Sequence, residues 1–273
     1  LKARYMLIAV YVFSVLIAIT VSPDYKEAGL QAFSNPEDIM NSIYYFAIII
    51  LFTAFILVMA KFMENFIQWM MYLLIFISIY YVFYPFAGLF SFILSLILVL
   101  LLVKTSNWFV IDAVALLLSA GITSIFGISL TPIPVIVLLI ILAVYDFISV
   151  YKTGHMVDLA DSLTKMKLPL LFVIPFSRDF TFERLESAKE KAVFMGVGDV
   201  VIPNILVVSA QVFTKSPYIY FIKMSALFTL VGGIMGLFLL IYLVERREGA
   251  HPGLPFLNAG VIIGYTTYWV LFH

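Results

Sequence analysis

Apolar residues run along this chain in blocks close to twenty long, and polar residues gather in the gaps between them. About twenty apolar residues in a helix cross the hydrocarbon core of a bilayer. By that measure the pattern predicts nine membrane spans, at roughly 5–22, 42–60, 66–84, 86–104, 108–127, 132–151, 192–213, 218–243 and 253–272. The gaps are short except for 23–41 and 152–191. Tyr84-Pro85-Phe86 separates the third and fourth spans and predicts a tight hairpin turn, because proline lacks the N–H that a continuing helix needs. Unbroken runs of this length exclude a transmembrane β-barrel, whose strands alternate polar and apolar residues over about ten positions. The chain therefore reads as an all-α polytopic membrane protein. A six-helix part at 1–151, a loop at 152–191 and a three-helix part at 192–273 make up one integral domain. The first block, Tyr5 to Val21 behind Lys2 and Arg4, has the flanks of a signal peptide. It lacks a small-residue cleavage site and is followed by many more spans, so it reads as the first helix. A chain that opens on Leu1 is expected to have been trimmed from a longer one.

Composition agrees with a membrane setting. Of 273 residues, 64% are hydrophobic and 12% charged, and the mean hydropathy is +1.11. So little polar surface cannot coat a soluble globule. There is no cysteine, hence no disulfide or thiolate metal site, and three scattered histidines make no metal site either. Net charge is zero with no basic tract, which argues against a nucleic-acid partner.

The placement of positive charge gives the orientation. With the N-terminus in the cytoplasm, the inner gaps collect Lys2, Arg4, Lys61, Lys104, Lys152, Lys165, Lys167, Arg178, Arg184, Lys189, Lys191, Arg246 and Arg247. The outer gaps hold only Lys26, Lys215 and Lys223. Cytoplasmic loops carry the excess of Lys and Arg, so the N-terminus is expected inside and, after nine spans, the C-terminus outside. The long loop 152–191 is then cytoplasmic. Its apolar stretch LPLLFVIPF, 168–176, is too short to span, and Phe180–Lys191 reads as the start of a charged amphipathic helix.

Candidate chemistry stands out against this background. Asp146 and Asp199 lie in otherwise apolar spans, where an acidic residue is costly and is usually functional. Asp146 falls six residues before Lys152, ~9 Å from the membrane edge, and Asp199 eight residues after Lys191, ~12 Å deep, at helical rise. The two spans share the cytoplasmic loop, so the carboxylates reach similar depths on antiparallel helices. Two readings follow from the acids alone: a carboxylate pair that catalyses hydrolysis, or a proton relay in a membrane transporter. Around Asp199, Gly196 and Gly198 permit close approach of a helix or a substrate backbone. Pro203 removes the helical bond to the Asp199 carbonyl, and Tyr145 sets a phenol beside Asp146. Pro252-Gly253-Leu254-Pro255 breaks the helix at the entry to span nine, behind His251, a loop-edge histidine. Asp112, only four residues into span five, reads as an interfacial or helix-capping carboxylate. Gly232/Gly236 and Gly260/Gly264 read as helix-packing pairs.

Tyr145-Asp146, Gly196-Val197-Gly198-Asp199 and Pro252-Gly253-Leu254-Pro255, in that order in spans six, seven and nine, resemble the YD, GxGD and PALP motifs of the presenilin and signal peptide peptidase family of intramembrane aspartyl proteases. The compact size resembles archaeal members. Val200-Val201-Ile202-Pro203 and LPLLFVIP look like signal peptide peptidase, whereas the orientation and the PxLP form resemble presenilin. Gly253 departs from the family alanine. The resemblance implies an aspartic endopeptidase with Asp146 and Asp199 as catalytic residues and Tyr145, Gly196, Gly198, Pro252, Gly253, Leu254 and Pro255 shaping the site. It implies no metal and no cofactor. Partners would be the lipid bilayer and transmembrane-helix substrates, including signal peptides, in a prokaryotic cell membrane. No residue signals an accessory subunit, and the sequence leaves monomer and oligomer equally open.

Overall fold

The computed structural model describes residues 2–62, 64–105, 107–153, 171–176, 192–246 and 252–272. Among them are nine α-helices: α1 (Lys2–Glu27), α2 (Met40–Phe62), α3 (Glu64–Ala87), α4 (Ser91–Lys104), α5 (Trp108–Ser129), α6 (Pro132–Ile148), α7 (Val197–Phe213), α8 (Met224–Arg246) and α9 (Leu254–Phe272). Two short antiparallel ribbons accompany them, β1 (Leu171–Pro175) with β2 (Ala192–Gly196), and β3 (Tyr218–Ile219) with β4 (Ile222–Lys223).

By length and apolarity six helical stretches of the described residues can cross a membrane. One of them, Phe66–Lys104, is 39 residues long and contains both α3 and α4. Met40–Ile56 and Val197–Phe213 are shorter apolar helices. Large exposed apolar side chains such as Leu51, Trp69, Leu89 and Phe90 coat α2 to α4. Surface of this kind suits lipid and would be a liability in water.

Three boundaries and one helix cap differ from the sequence reading. The α3–α4 turn lies not at Pro85 but at Gly88–Phe90: α3 runs through Pro85 to Ala87, and Gly88, at φ 51°, takes the left-handed conformation that ends it. The seventh block does not start as helix, since Ala192–Gly196 forms β2 and α7 begins at Val197. An apolar run this short reads equally as strand or helix, and pairing with Leu171–Pro175 decides for strand. The helix-based depth of Asp199 measured from Lys191 therefore no longer applies. The eighth block opens with the β3–β4 ribbon, turned through Tyr220 at φ 59°, before α8. Asn107, not Asp112, caps α5, its side chain accepting the Phe109 N–H at 3.0 Å. His251 and Phe180–Lys191 lie outside the described residues.

The packing centre is α7. Val200, Asn204, Leu206, Val207, Val208, Ser209 and Ala210 are fully buried in it. Around them a single apolar core gathers residues of α1, α5, α6, α8, α9 and the β1–β2 ribbon. A second core joins α2, α3 and α4 to the other face of α5 through Ile111, Val114 and Leu118. The two glycine pairs do pack helices. A β-carbon at Gly232 would strike the Gly260 carbonyl oxygen, one at Gly260 the Gly232 carbonyl oxygen, and one at Gly264 the Phe228 carbonyl oxygen, so α8 and α9 touch backbone to backbone. This contact fixes the start of α9.

Candidate active site

Asp146 lies in the last turn of α6 and is buried. Its Oδ2 accepts the backbone N–H of Leu254 at 3.1 Å. Leu254 is the first residue of α9, and the first N–H groups of a helix have no partner within it. The preceding Pro252 and Gly253 are non-helical, which leaves this N–H free to meet a carboxylate. Pro255 is tolerated in the first turn for the same reason, since its missing N–H would have had no helical partner.

Asp199 is the third residue of α7. Its carboxylate lies back against Gly196, the residue that ends β2 and caps α7 in extended conformation, with φ −61° and ψ 136°. In a capping box the side chain at the third helical position reaches back to the cap in this way. Both aspartates therefore sit at helix N-termini, Asp199 on its own helix and Asp146 on α9. Partial positive charge collects at such ends and favours an anion.

One short segment brings them together. A β-carbon at Gly253 would stand 2.9 Å from Asp199 Oδ1, and the next residue, Leu254, donates to Asp146. The two carboxylates thus flank Gly253–Leu254 and lie near enough to feel each other's charge. Gly196 closes the other side, where a β-carbon would stand 3.0 Å from Asp199 Oδ2. Among the described residues Gly198 plays no part in helix packing: it is exposed, and a β-carbon there would meet only Ile202 Cδ1, at 3.9 Å. Tyr145 is half-buried beside Asp146 with its ring edge-on to Phe46 of α2, centroids 5.9 Å apart. Pro203 lies within α7 and leaves the Asp199 carbonyl without a helical donor. Pro252, Gly253 and Leu254 are buried, and Pro255 is partly so.

Two polar residues near this centre, Asn258 and Asn204, escaped the sequence reading, and a third, Asp112, has a different contact from the one read. Asn258, one turn into α9, donates from Nδ2 to the Leu139 carbonyl at 2.9 Å and ties α9 to α6. Asn204, in α7, buries both polar atoms of its amide with no partner among the described residues. Asp112 accepts the Val173 N–H of β1 at 2.8 Å. Asn204 and Asn258 were detectable by the rule that exposed the aspartates, a polar side chain within an apolar span.

Comparison with known proteins identifies the family. The family profile described as "Signal-peptide peptidase, presenilin aspartyl protease" matches residues 8–273. Two solved structures of a presenilin family intramembrane aspartate protease are similar to the chain. That in space group C222 has TM-score 0.74 at 31% identity and covers 98% of this chain and 99% of its own. That in space group P2 has TM-score 0.70 at 31% identity, covering 97% and 96% respectively. No curated protein sequence matches. With the whole helical framework and nearly the full length in common, the chain belongs to the signal-peptide peptidase and presenilin family of aspartyl proteases and is an intramembrane aspartic endopeptidase.

Proposed function

We propose that the enzyme hydrolyses peptide bonds within transmembrane segments of membrane proteins or signal peptides, with Asp146 and Asp199 as its general acid–base pair. The observation that carries this reading is the convergence of both carboxylates on Gly253–Leu254. Two close carboxylates hold one proton between them. The ionised member takes a proton from water as the water oxygen attacks the scissile carbonyl, and the protonated member gives its proton to the carbonyl oxygen. A gem-diol results. Its collapse breaks the C–N bond as the protonated member gives its proton to the leaving nitrogen and the ionised member takes one from a gem-diol hydroxyl, which re-forms the carbonyl and returns the pair to one shared proton. The pair titrates as a unit, so the starting position of that proton belongs to both.

We read nine spans with the N-terminus in the cytoplasm: the excess of Lys and Arg in the inner gaps favours that orientation, and the count takes α3 and α4 as separate crossings and lets α2 and α7 cross despite their shorter apolar runs. At 17 residues α7 is about 26 Å long, a little less than the hydrocarbon thickness. Its site end would stop short of the cytoplasmic surface and leave a recess through which water reaches Asp199. An intact substrate helix hides its carbonyls in its own hydrogen bonds, so several residues must unwind. The β1–β2 ribbon offers them an edge for strand addition, and β2 runs directly into Asp199.

The test is cleavage of a labelled single-span substrate by the purified chain. Asp146→Asn and Asp199→Asn should each abolish it while the protein stays folded, a loss of at least about a hundredfold. Activity retained in either variant would remove the dyad. Orientation is tested separately with a cysteine at Ser162, in a chain that has none of its own. Labelling from the external face alone would reverse it.

A further inference from the structure

A two-stranded ribbon is marginal by itself, and β1 and β2 have only five residues each. The ribbon that leads into Asp199 must therefore be held from outside. Part of the hold is burial, for Phe172, Val173 and Ile174 are at most 1% exposed. The rest is directional. In an antiparallel ladder, alternate residues turn N–H and C=O toward the partner strand or away from it. Val173, opposite Phe194, gives its N–H to Asp112 Oδ1 outside the ribbon. The same alternation turns the N–H of Gly196 outward, and the Asp199 carboxylate lies against that residue, with Oδ2 3.0 Å from where a β-carbon would stand. It also puts Pro175 at a position whose missing N–H costs no ladder bond. The ribbon is thus clasped on its two outer edges by two aspartates, Asp112 from α5 and Asp199 from α7.

We infer that Asp112 is a positioning residue of this protease: by accepting the outward N–H of Val173 it pins the β1–β2 ribbon, and through the end of that ribbon at Gly196 it fixes the carboxylate of Asp199. The inference rests on the reading of Asp199 as catalytic. Asp112 meets neither Asp146 nor the Gly253–Leu254 segment in any hydrogen bond among the described residues, so its effect passes through the ribbon. What β1 requires at this point is an acceptor oxygen, which asparagine supplies as well as aspartate.

The experiment uses the full chain, reconstituted, with kcat and KM for a single-span substrate and hydrogen exchange of the peptide covering 171–175. Asp112→Asn should keep at least half of kcat and leave 171–175 protected. Asp112→Leu should lower kcat by about tenfold or more with KM within about twofold, as expected when a reacting group is misplaced, and 171–175 should exchange faster. Val173→Pro removes the donor instead of the acceptor and costs no ladder bond. It should reproduce the loss, and the double variant should be no worse than either single one. A merely structural role would move the melting temperature and leave kcat per folded molecule unchanged. Wild-type kcat in Asp112→Leu, an equal loss in Asp112→Asn, or losses that multiply in the double variant would overturn the assignment. Should Asp112→Leu not fold, Val173→Pro against Asp112→Asn makes the same comparison. If Asp199→Asn still cleaves, it is the catalytic reading that fails, whereas exchange at 171–175 reports the pinning without reference to cleavage.

Discussion

Gly253 leaves the Asp199 carboxylate no spare room: a β-carbon on it would stand 2.9 Å from Oδ1 and 3.0 Å from Cγ. Contacts that short do not occur between real β-carbons and oxygen, so any side chain at 253 must push the carboxylate or the loop. Gly196 closes in on the far side of the carboxylate, where a β-carbon would stand 3.0 Å from Oδ2, which limits where it can go. Gly253→Ala restores the residue the family carries here, and the contact falls on the end of a side chain, so a small turn of the carboxylate relieves it: kcat should fall by no more than a few-fold with KM and melting temperature unchanged. Gly253→Val needs a larger displacement and should slow turnover by about tenfold or more, because misplacing a reacting group acts on the reaction geometry more than on binding. A Gly253→Val enzyme with unchanged kcat would mean that Asp199 has slack the present geometry denies it.

The close approach of α8 and α9 carries a second expectation. Gly260 meets the Gly232 carbonyl with no space for a β-carbon, and α9 presents the Leu254 N–H to Asp146 from its first residue. Gly260→Leu should separate the two helices, destabilise the protein by about 1–3 kcal/mol or more as overpacking does, and lower activity together with thermal stability. Retention of both would show that the pair is not a packing contact. Gly198→Ala is the contrasting variant, because only Ile202 lies near. It should leave stability unchanged, so a fall in its activity would report on substrate space alone.

Much of the site was legible because each of its parts breaks a strong local rule. Asp146 and Asp199 place carboxylates in apolar spans, and Pro252 with Pro255 sets two helix breakers at the entry to an apolar block. The relation of Gly253 to the carboxylate was legible only as a departure from a family pattern. What could not be read is what depends on pairing. Ala192–Gly196 is as apolar as the helix that follows it, and only its partner Leu171–Pro175 makes it a strand. The Asp112 contact joins a side chain to a backbone N–H 61 residues away. Backbone groups leave no mark in sequence, so Asp112 resembled an interfacial or capping acid. Pro85 misled for a different reason: it removes one helical bond, to the Tyr81 carbonyl, but α3 continues past it to Ala87 and ends at Gly88, three residues later, in left-handed conformation.

Shared protonation of the pair has its own signature in pH. With both carboxyls protonated there is no base to activate water, and with both ionised there is no acid to protonate the carbonyl. The rate at saturating substrate should therefore rise and then fall as pH increases, and the two limbs give the macroscopic constants of the pair. Neither limb can be assigned to Asp146 or Asp199 alone. Asp112→Asn should leave both limbs in place, since its side chain meets β1 and not the dyad. A rate that climbs without turning up to about pH 9 would sink a mechanism of two carboxyls sharing one proton.

The last expectation concerns unwinding, on the enzyme and on its substrate. Leu254 can donate to Asp146 only because α9 starts there; with a further helical turn ahead of it, the same N–H would bond to the carbonyl four residues back. Pro252 and Pro255 prevent that extension. The double substitution Pro252→Ala/Pro255→Ala, with Gly253 retained, should let α9 grow backward and withdraw the donor from Asp146. Cleavage should be lost although both aspartates and the room beside Asp199 remain. In the substrate, Gly near the scissile bond costs a helix about 1 kcal/mol relative to Ala. If opening the helix limits the rate, that difference should appear as a several-fold faster cleavage, while Ala or Leu slows it. Proline is a poorer probe because it also deletes an N–H that strand pairing uses. Normal cleavage by the double-proline variant, together with indifference to Gly in the substrate, would show that an open start of α9 and an unwound substrate are not requirements of the reaction, even with the aspartate pair intact.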